Sequence, residues 1–210
     1  MTTPFTDRLV MTFDRALRTV SAQARSSRPY PAAGIVESDM NEQEKKHSAG
    51  LMRVNHVGEI CAQALYDAQS AFSHTEEVAR QLQHSCVEEE DHLAWTKSRL
   101  EELHSHPSLL NPLWYAGAYA CGVVAAKCGD AASLGFVVET ERQVEAHLAG
   151  HLEKLPVQDA RSRAIVEQMR VDEIAHGSAA QALGASDMPA PVRLLMKGMA
   201  KIMTSAAYYI

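Results

Sequence analysis

From residue 42 onward, apolar positions recur at intervals of three and four, a period that suits helices and not strands. The pattern predicts long helices over about 42–73, 76–104, 131–154, 159–183 and 190–208. The breaks between them carry the chemistry of helix ends: "HSHPSLLNP" at 104–112, "CGD" at 128–130, Pro156, and "GASDMPAP" at 184–191. Long helices joined by short connections read as an antiparallel bundle, so the fold class is all-α. Ahead of them, Phe5, Leu9, Phe13, Leu17 and Val20 fall at helical spacing and predict an amphipathic helix. The polar break "ARSSRPYPAAG" at 24–34 follows it. The expected organisation is an extension and linker over 1–40 and a helical domain over 41–210.

Two segments are odd for a simple soluble bundle. "LLNPLWYAGAYACGVVAAK" at 109–127 is apolar almost all round between Leu113 and Ala126. That is too short to span a bilayer and suits a buried helix or an interfacial insertion. In the last helix Arg193, Lys197 and Lys201 form a basic stripe at four-residue intervals, with leucines, methionines and Ile202 on the other faces. A basic stripe on an apolar helix suits an anionic membrane surface, although an ordinary solvated face gives the same pattern. Together with the amino-terminal amphipathic stretch, the two segments predict membrane contact.

Composition narrows the field. A chain of 210 residues suits one domain with a sizeable core. A net charge of −6 and a pI near 5.9 argue against nucleic acid as a partner. The four cysteines (Cys61, Cys86, Cys121 and Cys128) form no CxxC pair, and read as reduced thiols. The first 31 residues lack the apolar core of a signal peptide. Their five arginines leave a mitochondrial presequence open, and Asp7 and Asp14 count against it.

The candidate chemistry lies in "VEEEDHLAW" at 87–95, which concentrates acids beside a histidine with no basic residue nearby. Glu89 and His92 form an ExxH pair, and residues three apart share a helix face. Glu173 and His176 form a second pair, Glu101 and His104 a third. With 17 glutamates and ten histidines in the chain, chance alone supplies about one such pair. The first two gain weight because each is preceded on an earlier helix by a glutamate. Glu59 stands 30 positions before Glu89, and Glu141 stands 32 before Glu173. One glutamate from each of two helices and an ExxH from each of two others is the ligand set of ferritin-like dimetal carboxylate proteins.

Four carboxylates and two imidazoles can neutralise two divalent irons and leave coordination positions open for oxygen. Without metals the same groups would be costly in an apolar core. On this reading Glu89 and His92 point inward, while Glu88 and Asp91 fall on the outer side. Glu141 is preferred to Glu139, which sits with Arg142 and Gln143. Glu101 and His104 lie at a helix end and have no partner in the repeat.

"LMRVNHVGEICAQALY", "EEEDHLAW", "VETERQVEAHL" and "DEIAHG", in this order and spacing, resemble the Coq7 type of demethoxyubiquinone hydroxylase from about Met40 to the end. The resemblance implies a ferritin-like bundle with a di-iron centre held by Glu59, Glu89, His92, Glu141, Glu173 and His176. It matches His147 to a histidine that affects activity. The tyrosine that follows it in some relatives is Leu148 here.

It further implies O2-dependent hydroxylation of 2-polyprenyl-3-methyl-6-methoxy-1,4-benzoquinol in ubiquinone biosynthesis. Electrons would come from the quinol or from NADH, for which the chain carries no Gly-rich dinucleotide fingerprint. The expected partners are the polyprenyl quinol and a membrane surface, with other ubiquinone-biosynthesis proteins and a homo-oligomer also admitted. The expected place is peripheral, on the cytoplasmic face of a bacterial membrane, with the matrix side of the mitochondrial inner membrane as the alternative. The competing readings are a ferritin-like iron oxidase or storage protein, another dimetal oxidase or peroxidase, and a zinc-stabilised lipid-binding bundle.

Overall fold

The computed structural model describes residues 5–21 and 24–210. Seven helices account for the regular structure among them, with no strand: α1 (Phe5–Ser21), α2 (Glu42–Phe72), α3 (Glu76–Glu102), α4 (Asn111–Lys127), α5 (Asp130–Lys154), α6 (Ala160–Ala182) and α7 (Ala190–Ala207). Local chemistry sets several ends. Asn41 accepts from the backbone N–H groups of Gln43 and Glu44, and Glu44 returns a bond to the Asn41 N–H, a reciprocal cap for α2. Asp159 caps α6 through the Ser162 N–H. Asp130, opening α5, accepts from the His74 and Thr75 N–H groups and so ties the α2–α3 turn to the start of α5.

The central bundle consists of two helix pairs, α2 with α3 and α5 with α6, each packed along its length. The pairs meet more sparsely, through α3 against α6 and α2 against α5. Trp95, Leu100, Leu148, Ile165 and Met169 fill one end, and Tyr66, Leu82, Leu134 and Val137 fill the other. The acids and histidines lie between these two apolar layers.

α4 packs lengthwise on α2, with Tyr115, Gly122, Ala125 and Ala126 buried. The approach is closest at Gly122, where a Cβ would stand 2.8 Å from the Ala68 Cβ and 3.0 Å from the Leu65 carbonyl oxygen, so only glycine fits the crossing. The opposite face of α4 exposes Leu113 and Val124. The 113–126 segment is therefore half buried and half open.

α7 crosses the outside of the bundle. Its start meets α5, where Gln143 donates to the Arg193 carbonyl, and its end meets α2, where the Tyr208 hydroxyl bonds His47 Nδ1 at 2.7 Å and Arg53 donates to the Tyr208 carbonyl. Leu194, Leu195, Met199 and Ile202 are exposed along it, as are Arg193, Lys197 and Lys201. No helix among the described residues is long and apolar enough to cross a membrane.

The amphipathic α1 rests on α2 and α4. Arg15 donates to Asp67, and Ala16 and Val20 pack beside Ile60 and Tyr115, while Phe13 and Leu17 are exposed. The side chains of Phe5 and Leu9, the other members of that stripe, lie outside the described residues. The linker runs back along α3 and is tied at two places. Arg28 meets Asp91, and Glu37 accepts from Arg99, a fully buried guanidinium that also binds Asp159, Glu102 and Ser162.

Candidate metal centre

Each of the four bundle helices delivers its acid at mid-length, and the heptad-like spacing that buries the apolar layers also points these side chains inward. Glu59 on α2, Glu89 and His92 on α3, Glu141 on α5, and Glu173 and His176 on α6 are all buried. They form two overlapping groups whose ligand atoms lie within 4.8 Å of one another: Glu59, Glu89, His92 and Glu173, and then Glu89, Glu141, Glu173 and His176. Glu89 and Glu173 belong to both groups, which makes them the two residues able to touch a pair of ions at once.

The histidines turn the same ring atom toward the centre. His92 Nδ1 lies 2.9 Å from Glu89, 3.5 Å from Glu59 and 3.6 Å from Glu173. His176 Nδ1 lies 3.2 Å from Glu89 and 3.4 Å from Glu173. The other ring nitrogens face outer carboxylates: His92 Nε2 sits 2.8 Å from Asp172, and His176 Nε2 sits 2.9 Å from Glu88. These carboxylates are the residues immediately before Glu173 and Glu89, so each acid-Glu-x-x-His run braces the histidine of the other. The Tyr66 hydroxyl donates to Glu141.

Two expectations about the acidic run need correcting. Asp91 is not on the outer side; it is 1% exposed and accepts from Ser26, from the Ser27 N–H and from Arg28. The linker folds over it and supplies donors that helix periodicity in α3 cannot reveal. Glu88 is partly exposed at its edge of the helix but reaches across to His176. Glu139 accepts from Arg142 and Gln143 as anticipated, outside both groups. Glu101 and His104 are exposed at the end of α3 and join neither group.

His147, half-buried on α5, lies against His151 with ring centroids 4.0 Å apart and the planes tilted by 58°, and neither ring hydrogen-bonds any of the six central residues. Burial pushes both below the ordinary imidazole range, His151 to about 3. Asp172, Tyr66 and Arg28 carry no motif of their own. The one signal that could have found Asp172 is its place before Glu173, which matches the place of Glu88 before Glu89.

Electrostatically the centre demands cations. Burial, then the neighbouring Glu89, holds Glu59 well above the carboxylate range; burial and Glu173 do the same to Glu141. Burial works against protonating the histidines, but the carboxylates around them prevail. His92 is raised well above its ordinary value by Glu89, Asp172 and Glu59, and His176 reaches about 12 through Glu173 and Glu89. Glu89 is held well below the usual range because the two imidazoles outweigh its burial. The group thus gathers protons to balance its own charge, as divalent cations would in their place. Glu59 Oε2, Glu89 Oε1, Glu173 Oε2 and His176 Nδ1 are all buried without a hydrogen-bond partner. Four orphaned donor atoms facing one centre fit metal ligation.

Residues 46–207 match the family model described as ubiquinone biosynthesis protein COQ7. The chain belongs to the COQ7 family. Within it, the chain is 62% identical over 206 residues to the 3-demethoxyubiquinol 3-hydroxylase of Herbaspirillum seropedicae, covering 98% of this chain and 99% of that one. It is 62% identical over 207 residues to the enzyme of that name from Herminiimonas arsenicoxydans, covering 99% and 98%. Against that of Burkholderia mallei it is 56% identical over 205 residues, covering 97% and 99%. The likeness to these COQ7 relatives therefore reaches into the amino-terminal segment, which the motifs from Met40 onward leave out.

Proposed function

We propose that this protein is a di-iron monooxygenase that hydroxylates the ring of 2-polyprenyl-3-methyl-6-methoxy-1,4-benzoquinol with O2. The observation that carries the reading is the pair of four-residue groups sharing Glu89 and Glu173 at the buried middle of the bundle. Four carboxylates and two imidazoles suit iron, and an iron pair supplies two-electron reduction of dioxygen and Lewis acidity when bound. Glu59 and His92 would hold one ion, Glu141 and His176 the other, with Glu89 and Glu173 between them.

The chain's own groups shape the rest. Asp172 and Glu88 accept at the two Nε2 positions and so direct each Nδ1 lone pair inward. Burial and Glu141 push the Tyr66 phenol well above its usual range, so it stays a donor and fixes the orientation of Glu141. The apolar layers above and below the acids keep water from the buried centre. A surface groove of about 780 Å3 between α5 and α6 leads to Glu141 and Glu173 and gives the ring a way in. Electrons come from the quinol itself or from NADH.

A polyprenyl substrate stays in a bilayer, and the exposed apolar residues of α7 and α4 beside Arg193, Lys197 and Lys201 suit peripheral attachment there. The bacterial sources of the relatives named above favour a bacterial membrane over a mitochondrial one, and the face we propose is the cytoplasmic one. The test is product mass spectrometry: load the protein anaerobically with ferrous iron, add a demethoxyubiquinol analogue, and admit labelled O2. One labelled oxygen on the ring is the expected result. Iron oxidation with the quinone unchanged would instead favour an iron oxidase.

A further inference from the structure

We propose that Arg28, from the amino-terminal linker, is a positioning residue for the metal centre that fixes Asp172 against His92 and so strengthens one of the two metal positions. This rests on reading the six central residues as a dimetal site. Arg28 Nε donates to Asp91 Oδ2 at 2.6 Å, and its Nη1 lies 2.9 Å from Asp172 Oδ2. The same Asp172 oxygen is 2.8 Å from His92 Nε2, and His92 Nδ1 faces Glu59, Glu89 and Glu173. One unbroken chain of charge-assisted contacts therefore runs from the linker to a ligand atom.

The guanidinium is itself held in place. It lies over the Trp95 ring, 4.8 Å from the centroid, and the Trp95 N–H donates to Ser26. Ser26 and Ser27 also bond Asp91, so the two residues before Arg28 are fastened to the same carboxylate. Gln168 donates to the remaining Asp172 oxygen, so Arg28 and Gln168 together hold that carboxylate in the orientation that meets His92. Arg28 bridges two carboxylates from different helices, a task suited to a planar fork and not to a point charge. Without it, Asp91 and Asp172 would face each other across the α3–α6 seam with no guanidinium between them, and only Gln168 and His92 itself would hold Asp172 in place.

The other histidine has no such strut. His176 Nε2 meets Glu88, whose side chain is 31% exposed and whose further neighbour is His84 at 3.5 Å. The ligand braces are alike in kind and unequal in rigidity. Outer carboxylates of this sort change metal affinity by about 10–100-fold when disturbed, so the two positions should respond differently to the loss of Arg28.

Cobalt(II) titration of the purified full chain, followed by ligand-field absorption and ions bound per chain, reads this without catalysis. The wild type should take two ions. Arg28→Ala should weaken one binding step by about 10–100-fold and leave the other in place. Asp172→Asn should weaken the same step, and adding Arg28→Ala to it should cost nothing more, because both act through one contact. Equal weakening of both steps, unchanged binding, or a full additional loss in the Asp172→Asn background would overturn the proposal. A wild type that takes no pair of ions would overturn the dimetal reading and this one with it. Should Arg28→Ala not fold, Arg28→Lys, which keeps the charge without the fork, carries the same comparison under the same criteria.

Discussion

At the level of single residues, the inward-facing set was legible because carboxylates and imidazoles obey the same spacing rules as apolar residues. Glu89 and His92 lie one turn apart, and a lone ExxH gains meaning only when a second copy and two unpaired glutamates fall at matching distances. The decoy makes the point testable. Glu89→Ala or Glu173→Ala should abolish hydroxylation and cut bound iron, whereas Glu101→Ala, at the exposed end of α3, should do neither. Equal losses in all three would undo the face assignment, with iron content and product yield measured on each. What could not be read was Asp91: its partners Ser26, Ser27 and Arg28 are more than sixty residues away. Burial also sets a pH dependence. His56 and His151 are each pushed down to about 3, chiefly by desolvation. Their folded values lie below the unfolded value of about 6.5, so the stability they permit is whole above that pH and is lost as pH falls toward 3. At pH 5 each should cost about 2 kcal/mol relative to pH 7.5. Urea unfolding of His56→Gln and His151→Gln at both pH values should show a shallower acid loss than the wild type; an unchanged slope would contradict the burial argument.

Helices were the most readable elements, since their periods are long and their ends are marked by Pro, Gly and capping side chains. The expected spans agree with α2, α3, α5, α6 and α7 to within two residues at each end. α4 was recognisable as an apolar helix, but not as one that buries a single face, because nearly every side of it is apolar. Its buried face is chosen by Gly122, whose missing side chain lets the backbone of α2 approach. Pairing of elements was less legible than their existence: nothing in a single sequence says that α7 crosses from α5 to α2. The groove between α5 and α6 belongs to this scale. Gly177 lines it, and a Cβ there would stand 3.5 Å from the Glu141 Cβ, so a bare glycine is compatible with space that a larger residue would fill. Gly177→Leu should leave iron content unchanged and lower hydroxylation at least tenfold, through a side chain standing over Glu141. Retained activity with full iron would place the entry of the ring elsewhere.

Across the whole molecule, charge and apolarity are sorted by place. Six acids and histidines gather at the buried middle of the bundle, whereas exposed apolar residues of α1, α4 and α7 lie on its outside, with Arg193, Lys197 and Lys201 on the last. An exposed large apolar surface is uncommon for a chain acting alone in water. Leu194, Leu195, Met199 and Ile202 can enter the acyl boundary of a leaflet while the basic stripe meets its headgroups. The two contributions separate by salt, because juxtamembrane Lys and Arg are each worth about 1 kcal/mol on an anionic surface and act only within a Debye length. Co-sedimentation with vesicles containing phosphatidylserine should therefore weaken when Arg193, Lys197 and Lys201 are all replaced by Gln, and the difference from wild type should vanish at high salt. Leu194→Ser together with Ile202→Ser should weaken binding at every salt concentration, and on neutral vesicles too. If the triple Gln protein bound anionic vesicles as tightly as wild type at low salt, the stripe would be an ordinary solvated face. Attachment would then rest on the apolar helices alone.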